Sequence, residues 1–153
     1  MQLQQIDVTG CRLVGAITKE LGHAGPKHHA VILGQNLLDN HVYIAEHMNT
    51  GYQVSTYADF HNRYAPNGEI IVSANDGEYE NIAVAQRAIE ELKRGGKDVY
   101  DLVLNNCECF VNRAMHDRSV SNQVINTCLG IVVFAGLVYV VKNSRINKRT
   151  YTL

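Results

Sequence analysis

A cysteine that directly follows an asparagine is the first group in this chain that could do chemistry. Residues 106–111 (NCECFV) predict the start of a helix, because Asn106 is a good N-cap and apolar residues recur at helical spacing after it. Cys107 then lies in the first turn, where free backbone N–H groups and the helix dipole stabilise a thiolate. The alternative is a small core residue beside a cap, since free cysteines are often buried.

A thiolate nucleophile needs an imidazole within hydrogen-bond reach and a third polar group that orients this imidazole. A short apolar strand at residues 28–33 begins with His28 and His29. Successive side chains of a strand point to opposite faces, so only one of these histidines can face the helix. Apolar residues follow on both faces, and the pattern alone does not choose between them.

The next predicted strand, residues 42–47, offers candidates for the third polar group. Glu46 shares a face with the apolar residues of this strand, whereas His41 and His47 fall on the opposite face. Any one of these histidines could instead be an ordinary surface or core residue.

Composition favours one globular domain with an appendage. The chain has 153 residues, of which 46% are hydrophobic and 19% charged, and its net charge of −1 gives no reason to expect nucleic acid as a partner. The four cysteines do not form a disulfide-like pattern, and residues 1–5 lack the basic and apolar regions of a secretory signal. A reducing compartment follows, where cysteines are more often catalytic or metal-binding.

The hydrophobic pattern predicts an α+β fold, a small antiparallel sheet of about four to six strands packed against helices. The helix at residues 79–94 has one apolar face, basic residues in its last turn and two glycines after it. Residues 99–104 lead into the cysteine helix. The predicted strands are residues 11–17, 28–33, 42–47, 51–57 and 69–73.

The C-terminus changes character at residues 124–141, an apolar stretch of 18 residues that is followed by a basic tail at residues 142–153. This length is near the lower limit of about 17 residues for crossing a bilayer, so the pattern predicts a C-terminal membrane helix after a catalytic domain of residues 1–123. A buried core helix or strand pair, or a shallow interfacial or re-entrant segment, remains an alternative. The basic tail favours a cytoplasmic C-terminus, whereas a cytosolic catalytic domain with a single span would put the tail across the membrane.

Two motifs in this order resemble those of the lecithin:retinol acyltransferase-like (LRAT domain) family, a permuted branch of the NlpC/P60 papain-like thiol enzymes. HHAVILG at residues 28–34 is similar to the family's H-[aromatic or H]-[GA]-I-Y-x-G strand, and NCECFV to its N-C-E-H-F-V box. The C-terminal apolar segment resembles the membrane anchor of the family's phospholipid acyltransferase members. The resemblance extends over residues 9–141, with further matches at residues 84–92, 100–102 and 121–124.

The resemblance implies acyl transfer from a phospholipid ester through a Cys107 thioester, in a membrane-associated protein whose catalytic domain is cytosolic. Cys107 matches the nucleophile and His28 the general base. Glu46 matches the third polar residue, with His41 as the alternative by spacing. Cys109 stands where the family has a histidine. The implied partners are a phospholipid or other acyl ester and the membrane, and no metal or organic cofactor is required.

Three other interpretations stay open. An NlpC/P60-type cysteine peptidase or amidase would use the same residues, but has less reason for a lipid anchor. A non-enzymatic, membrane-bound interaction module could keep the fold without the chemistry. A zinc site could draw on His28, His29, Cys107 and Cys109, which are suitable ligand types. Against zinc, neighbouring residues of a strand point apart and the spacing is not that of a standard zinc module.

Overall fold

The computed structural model describes residues 7–95, 101 and 106–147, without the side chains of residues 136 and 139–147. It confirms the α+β class and the antiparallel sheet. The strands are β1 (Arg12–Ala16), β2 (Lys27–Gln35), β3 (Val42–Met48), β4 (Gly51–Thr56) and β5 (Ile71–Ser73). The helices are α1 (Tyr57–Tyr64), α2 (Asn81–Arg94), α3 (Cys107–His116) and α4 (Asn122–Asn147), and two short 3-10 turns lie at Gly22–Ala24 and Ala65–Asn67.

The five strands form one sheet in the order β4-β3-β2-β1-β5, and every neighbouring pair is antiparallel. β2 is the central strand. Ala30 of β2 lies opposite Glu46 of β3, and His28 lies opposite Gly15 of β1. Because side chains alternate, His28, Ala30 and Glu46 share one face of the sheet.

The sheet carries a hydrophobic cluster on each face. On the face that holds His28, α1 contributes Phe60, which packs on residues of β1, β2 and β3. On the opposite face, α2 and α3 pack on Val31 of β2 and Ala45 of β3. β2 is therefore buried from both sides, which explains its nearly continuous apolar sequence.

Helix α1 was not expected from the sequence, which predicted a strand to residue 57. The strand ends at Thr56, whose side chain accepts a hydrogen bond from the backbone N–H of Asp59, while the Asp59 carboxylate accepts one from the Thr56 N–H. This capping box satisfies two backbone donors and starts a helix. The helix brings Phe60 and Tyr64 to the sheet.

Other boundaries differ from the predictions by a few residues. The helix expected over residues 79–94 begins at Asn81, and the strand expected over residues 69–73 is limited to Ile71–Ser73. The predicted lead-in at residues 99–104 lies outside the described residues, apart from Asp101.

The C-terminal helix α4 belongs to a second compact unit. The first unit is Met1–Ser121 and the second is Asn122–Leu153. Most of the described apolar side chains of α4 are exposed, among them Ile125 at 42% and Phe134 at 70%, and the segment is a helix, not a strand pair. Where side chains are described, no helix is long and apolar enough to cross a membrane.

We predict that Gly10→Ala destabilises the fold much more than Gly51→Ala. Both glycines have positive φ, which costs a residue with a Cβ about 1–3 kcal/mol. A Cβ at Gly10 would lie 2.2 Å from the carbonyl oxygen of Asn81, whereas nothing lies within 4 Å of one at Gly51. The collision should remove roughly 1–3 kcal/mol more from the free energy of unfolding. Urea unfolding of both variants measures the difference, and equal losses would mean that α2 does not begin against Gly10.

Candidate active site

Cys107 is the first residue of α3, as the sequence predicted. The Asn106 side chain accepts a hydrogen bond from the Cys109 N–H at 2.9 Å, and its extended backbone starts the helix. Cys107 is buried, with 4% of its surface exposed, and its Sγ lies 3.8 Å from the carbonyl oxygen of Lys27. The start of α3 therefore meets the start of β2, directly beside His28.

His28 and Glu46 form a buried hydrogen-bonded pair. His28 Nε2 lies 2.9 Å from Glu46 Oε2, and the exposed fractions of the two residues are 4% and 0%. The Cys107 side chain interacts with this imidazole and raises its pKa. Since Nε2 bonds the carboxylate, Nδ1 is the ring nitrogen left for the thiol. Cys107, His28 and Glu46 thus lie in the order thiol, imidazole and carboxylate.

The second oxygen of Glu46 is held by three further donors. Oε1 accepts hydrogen bonds from Ser55 Oγ, from Gln53 Nε2 at 3.3 Å and from Arg63 Nη2. Burial by itself would raise the pKa of Glu46, but the bonds from His28, Ser55 and Arg63 outweigh it and lower the pKa to about 2. Glu46 therefore stays ionised although it is fully buried.

The same pair changes the protonation of His28. Burial favours the neutral imidazole, but hydrogen bonds to Cys107 and Glu46 and the negative charges of both groups raise the pKa of His28 to about 9. An imidazolium at neutral pH is the form that stabilises a neighbouring thiolate.

Aromatic rings hold the imidazole of His28 in place. The Tyr64 ring stacks on it with centroids 5.2 Å apart at 23°, and Phe60 lies 5.9 Å away. Gly15 lies opposite His28 on β1, and a Cβ there would come within 2.6 Å of the Tyr64 Cβ. The missing side chain of Gly15 leaves room for Tyr64, and α1 encloses the site.

His29 lies on the other face of the sheet. The structure thus distinguishes the two histidines between which the sequence pattern did not choose. Its Nδ1 lies 3.4 Å from Arg12 Nη1. Burial lowers the pKa of His29 to about 4; the charge of Glu108 opposes this shift, whereas that of Arg12 adds to it. His29 therefore lies on the face of the sheet away from Glu46 and is neutral at ordinary pH.

The remaining candidates lie elsewhere. His41 is exposed and precedes β3 at the far end of β2, where its carbonyl oxygen accepts from the Asn36 N–H. The structure therefore does not bring the alternative third residue to His28. His47 is buried on the opposite face, where its ring stacks on Tyr52 with centroids 4.0 Å apart.

The four residues that suggested a zinc site do not converge. Adjacent histidines point to opposite faces, and the described residues contain no group of three or more His, Cys, Asp or Glu side chains that could hold a metal ion. Cys109 is fully buried, and all four cysteines are free thiols.

Four residues around the site were missed by the sequence reasoning. A hairpin register for β3 and β4 would have found two of them, because Gln53 pairs with Glu46 and Ser55 follows on the same face. The other two, Arg63 and Tyr64, depend on α1. The Thr56-x-x-Asp59 capping signal could have predicted that helix.

We predict opposite titration of the two neighbouring histidines. In an NMR titration of the imidazole resonances, His28 should stay protonated to about pH 9, while His29 should stay neutral down to about pH 4. Resonances are assigned by single histidine substitutions. If His29 took up its proton at a higher pH than His28, the assignment of the two faces would be wrong.

The buried pair of His28 and Glu46 should limit the stability of the fold at both ends of the pH range. The pKa of Glu46 is lowered to about 2, so its contribution is present above its ordinary value and is lost as pH falls from about 4.5 to 2. The pKa of His28 is raised to about 9, so its contribution is complete below about 6.5 and is lost as pH rises to 9. Urea unfolding across these two windows should show both losses. A Glu46→Gln variant that kept the full acid-side loss would contradict this origin.

Comparison with known proteins adds no relative. No protein family, no curated protein and no solved structure matches this chain.

Proposed function

We propose that this protein is a membrane-associated thiol acyltransferase or phospholipase that takes an acyl group from a phospholipid ester. The observation that carries the proposal is the alignment of Cys107, His28 and Glu46 in one buried arrangement. A thiol, an imidazole and an orienting carboxylate are the parts that covalent acyl transfer requires. The motif resemblance to LRAT-like enzymes agrees with this proposal.

The first half-reaction forms a thioester. The Cys107 thiolate attacks the ester carbonyl carbon, and the bond from this carbon to the glycerol oxygen breaks. The leaving oxygen takes the proton from the His28 imidazolium, so the lysophospholipid departs as an alcohol. Glu46 holds the imidazole in the tautomer and orientation that this transfer needs.

The second half-reaction releases the acyl group. A water, alcohol or amine acceptor gives its proton to the neutral His28 imidazole and attacks the thioester carbonyl. The carbon–sulfur bond breaks, which restores the thiolate beside the imidazolium. With water the protein is a phospholipase, and with an alcohol or amine it is a transferase.

The start of α3 supplies donors for the oxyanion of both steps. The first N–H groups of a helix have no acceptor within the helix, and Cys107 is the first residue of α3. One well-placed donor of this kind contributes about 3–4 kcal/mol to stabilising the transition state.

The path of the segment between α3 and α4 is an observation in favour of a lipid substrate. It runs back along α3 through three hydrogen bonds, from Arg113 to Ser119 Oγ, from Asn112 to the Val120 carbonyl, and from Ser121 to Glu108. The bonded α3 residues step back from the end of this helix to its first turn. The chain therefore leaves the first unit at Ser121, which is bonded to the neighbour of Cys107.

The surface of helix α4, which follows this segment, favours binding to a membrane. Most apolar side chains of α4 between residues 125 and 138 are exposed, and Lys142 and Arg145 follow in the sequence. Apolar surface next to basic residues is typical of segments that bind lipid. We propose that this single C-terminal segment anchors the protein to a membrane and leaves the catalytic unit in the cytosol.

We predict that the protein gains the mass of one fatty acyl group when it is mixed with phosphatidylcholine in detergent micelles. Intact-protein mass spectrometry should detect the adduct, hydroxylamine should remove it, and Cys107→Ser should abolish it. His28→Ala should acylate about 100-fold or more slowly than wild type. His29→Ala, the matched neighbour on the other face, should keep most of the rate if circular dichroism shows that it is folded.

Other outcomes separate the remaining interpretations. Fast alkylation of Cys107 by iodoacetamide without a lipid adduct would refute the lipid substrate and favour the peptidase or amidase. Slow alkylation without an adduct would favour a non-enzymatic membrane-bound module. Equal rates for the two histidine variants would refute His28 as the base.

A further inference from the structure

We propose that Arg63 is a positioning residue of this site, which holds one oxygen of Glu46 so that the other oxygen orients His28. The inference rests on the proposed function for its consequence in acyl transfer. The placement of Glu46 and His28 by Arg63 does not depend on that reaction.

The two oxygens of Glu46 have separate tasks. Arg63 Nη2 bonds Oε1, whereas His28 Nε2 lies 2.9 Å from Oε2. A free carboxylate can rotate and exchange its oxygens, and a charged donor on one oxygen prevents this. Ser55 and Gln53 also donate to Oε1, and Arg63 is the charged donor among the three that fix the direction of the Oε2 bond.

Arg63 is itself held in place from α1. Its guanidinium lies 5.4 Å from the centroid of the Tyr64 ring and 5.9 Å from that of Phe60, the same rings that contact His28. Its Nη1 lies 3.9 Å from the Met48 Sδ. One helix thus fixes the imidazole by stacking and the carboxylate by charge.

The charges of the site require a cation here. A thiolate, an imidazolium and a carboxylate sum to one negative charge, and Arg63 makes the buried group neutral. The charged groups that act on His28 are Cys107 from α3 and Glu46 from β3, while β1 places the uncharged Gly15 opposite it. After the imidazole gives up its proton, Arg63 keeps the buried Glu46 ionised, since a buried charge without a partner is strongly unfavourable.

Two substitutions separate charge from packing, and the chain offers a matched control. Arg63→Met keeps an apolar stem on the aromatic rings but removes the charge and the donors. Arg63→Lys keeps the charge without the planar fork. The control is Arg87→Met, because the side chains of Arg87 and Arg63 are both 31% exposed, and Arg87 likewise pairs with a carboxylate, Asp117, and lies 4.0 Å from a tyrosine ring centroid.

The test is the titration of His28 by NMR, combined with the rate of Cys107 acylation by phosphatidylcholine. Arg63→Met should lower the pH at which His28 loses its proton, because the hydrogen bond to Glu46 raises the pKa of His28 and is weaker when Arg63 no longer holds the carboxylate. It should also slow acylation about tenfold or more, because the imidazole is less well oriented. Arg63→Lys should restore the titration but only part of the rate, and Arg87→Met should change neither.

The outcomes distinguish this inference from the proposed function. If His28 titrates in Arg63→Met as in wild type, the positioning role is refuted, whatever the activity. If His28 shifts as expected but wild type never forms an acyl adduct, the positioning role stands and the lipid reaction fails. A shift of the same size in Arg87→Met would show a general loss of stability and would also overturn the inference.

Discussion

The hydrogen bond between His28 and Glu46 is the constraint on which the rest of this fold depends. A fully buried carboxylate is tolerated only where donors surround it, and here β2, β4 and α1 each supply at least one. The register of β2 with β3 puts both groups on one face. Helix α1 then covers this face and excludes water, which strengthens the interaction that it encloses.

Stability alone does not explain this pair. Replacing a buried ion pair with well-packed apolar side chains is often neutral or stabilising, because removing two charges from water is costly. An apolar core at the same place would need neither the charge of Arg63 nor the open position at Gly15. The pair has a direct use once Cys107 is considered, because a carboxylate that favours the imidazolium also favours a thiolate next to it.

Much of this site follows from local sequence rules, and the remainder depends on distant contacts. The helix at Cys107 follows from its Asn cap, and strand alternation places Glu46 on its face. Alternation could not choose between His28 and His29, because β2 is buried on both sides and both faces are apolar. The choice depends on two contacts that alternation does not show: Cys107 lies beside the start of β2, and Glu46 shares the face of His28. The role of Arg63 could be predicted only together with helix α1, for which the only local signal is a four-residue capping pattern.

The most direct test of this account is the rate at which iodoacetamide alkylates Cys107 at neutral pH, followed by peptide mapping in wild type and in Glu46→Gln. The substitution keeps the shape of the side chain but removes the charge that favours the imidazolium. Alkylation of Cys107 should slow roughly 100-fold in a variant that is still folded. Equal rates in the two folded proteins would show that the buried pair does not activate the thiol, and the catalytic account would be wrong.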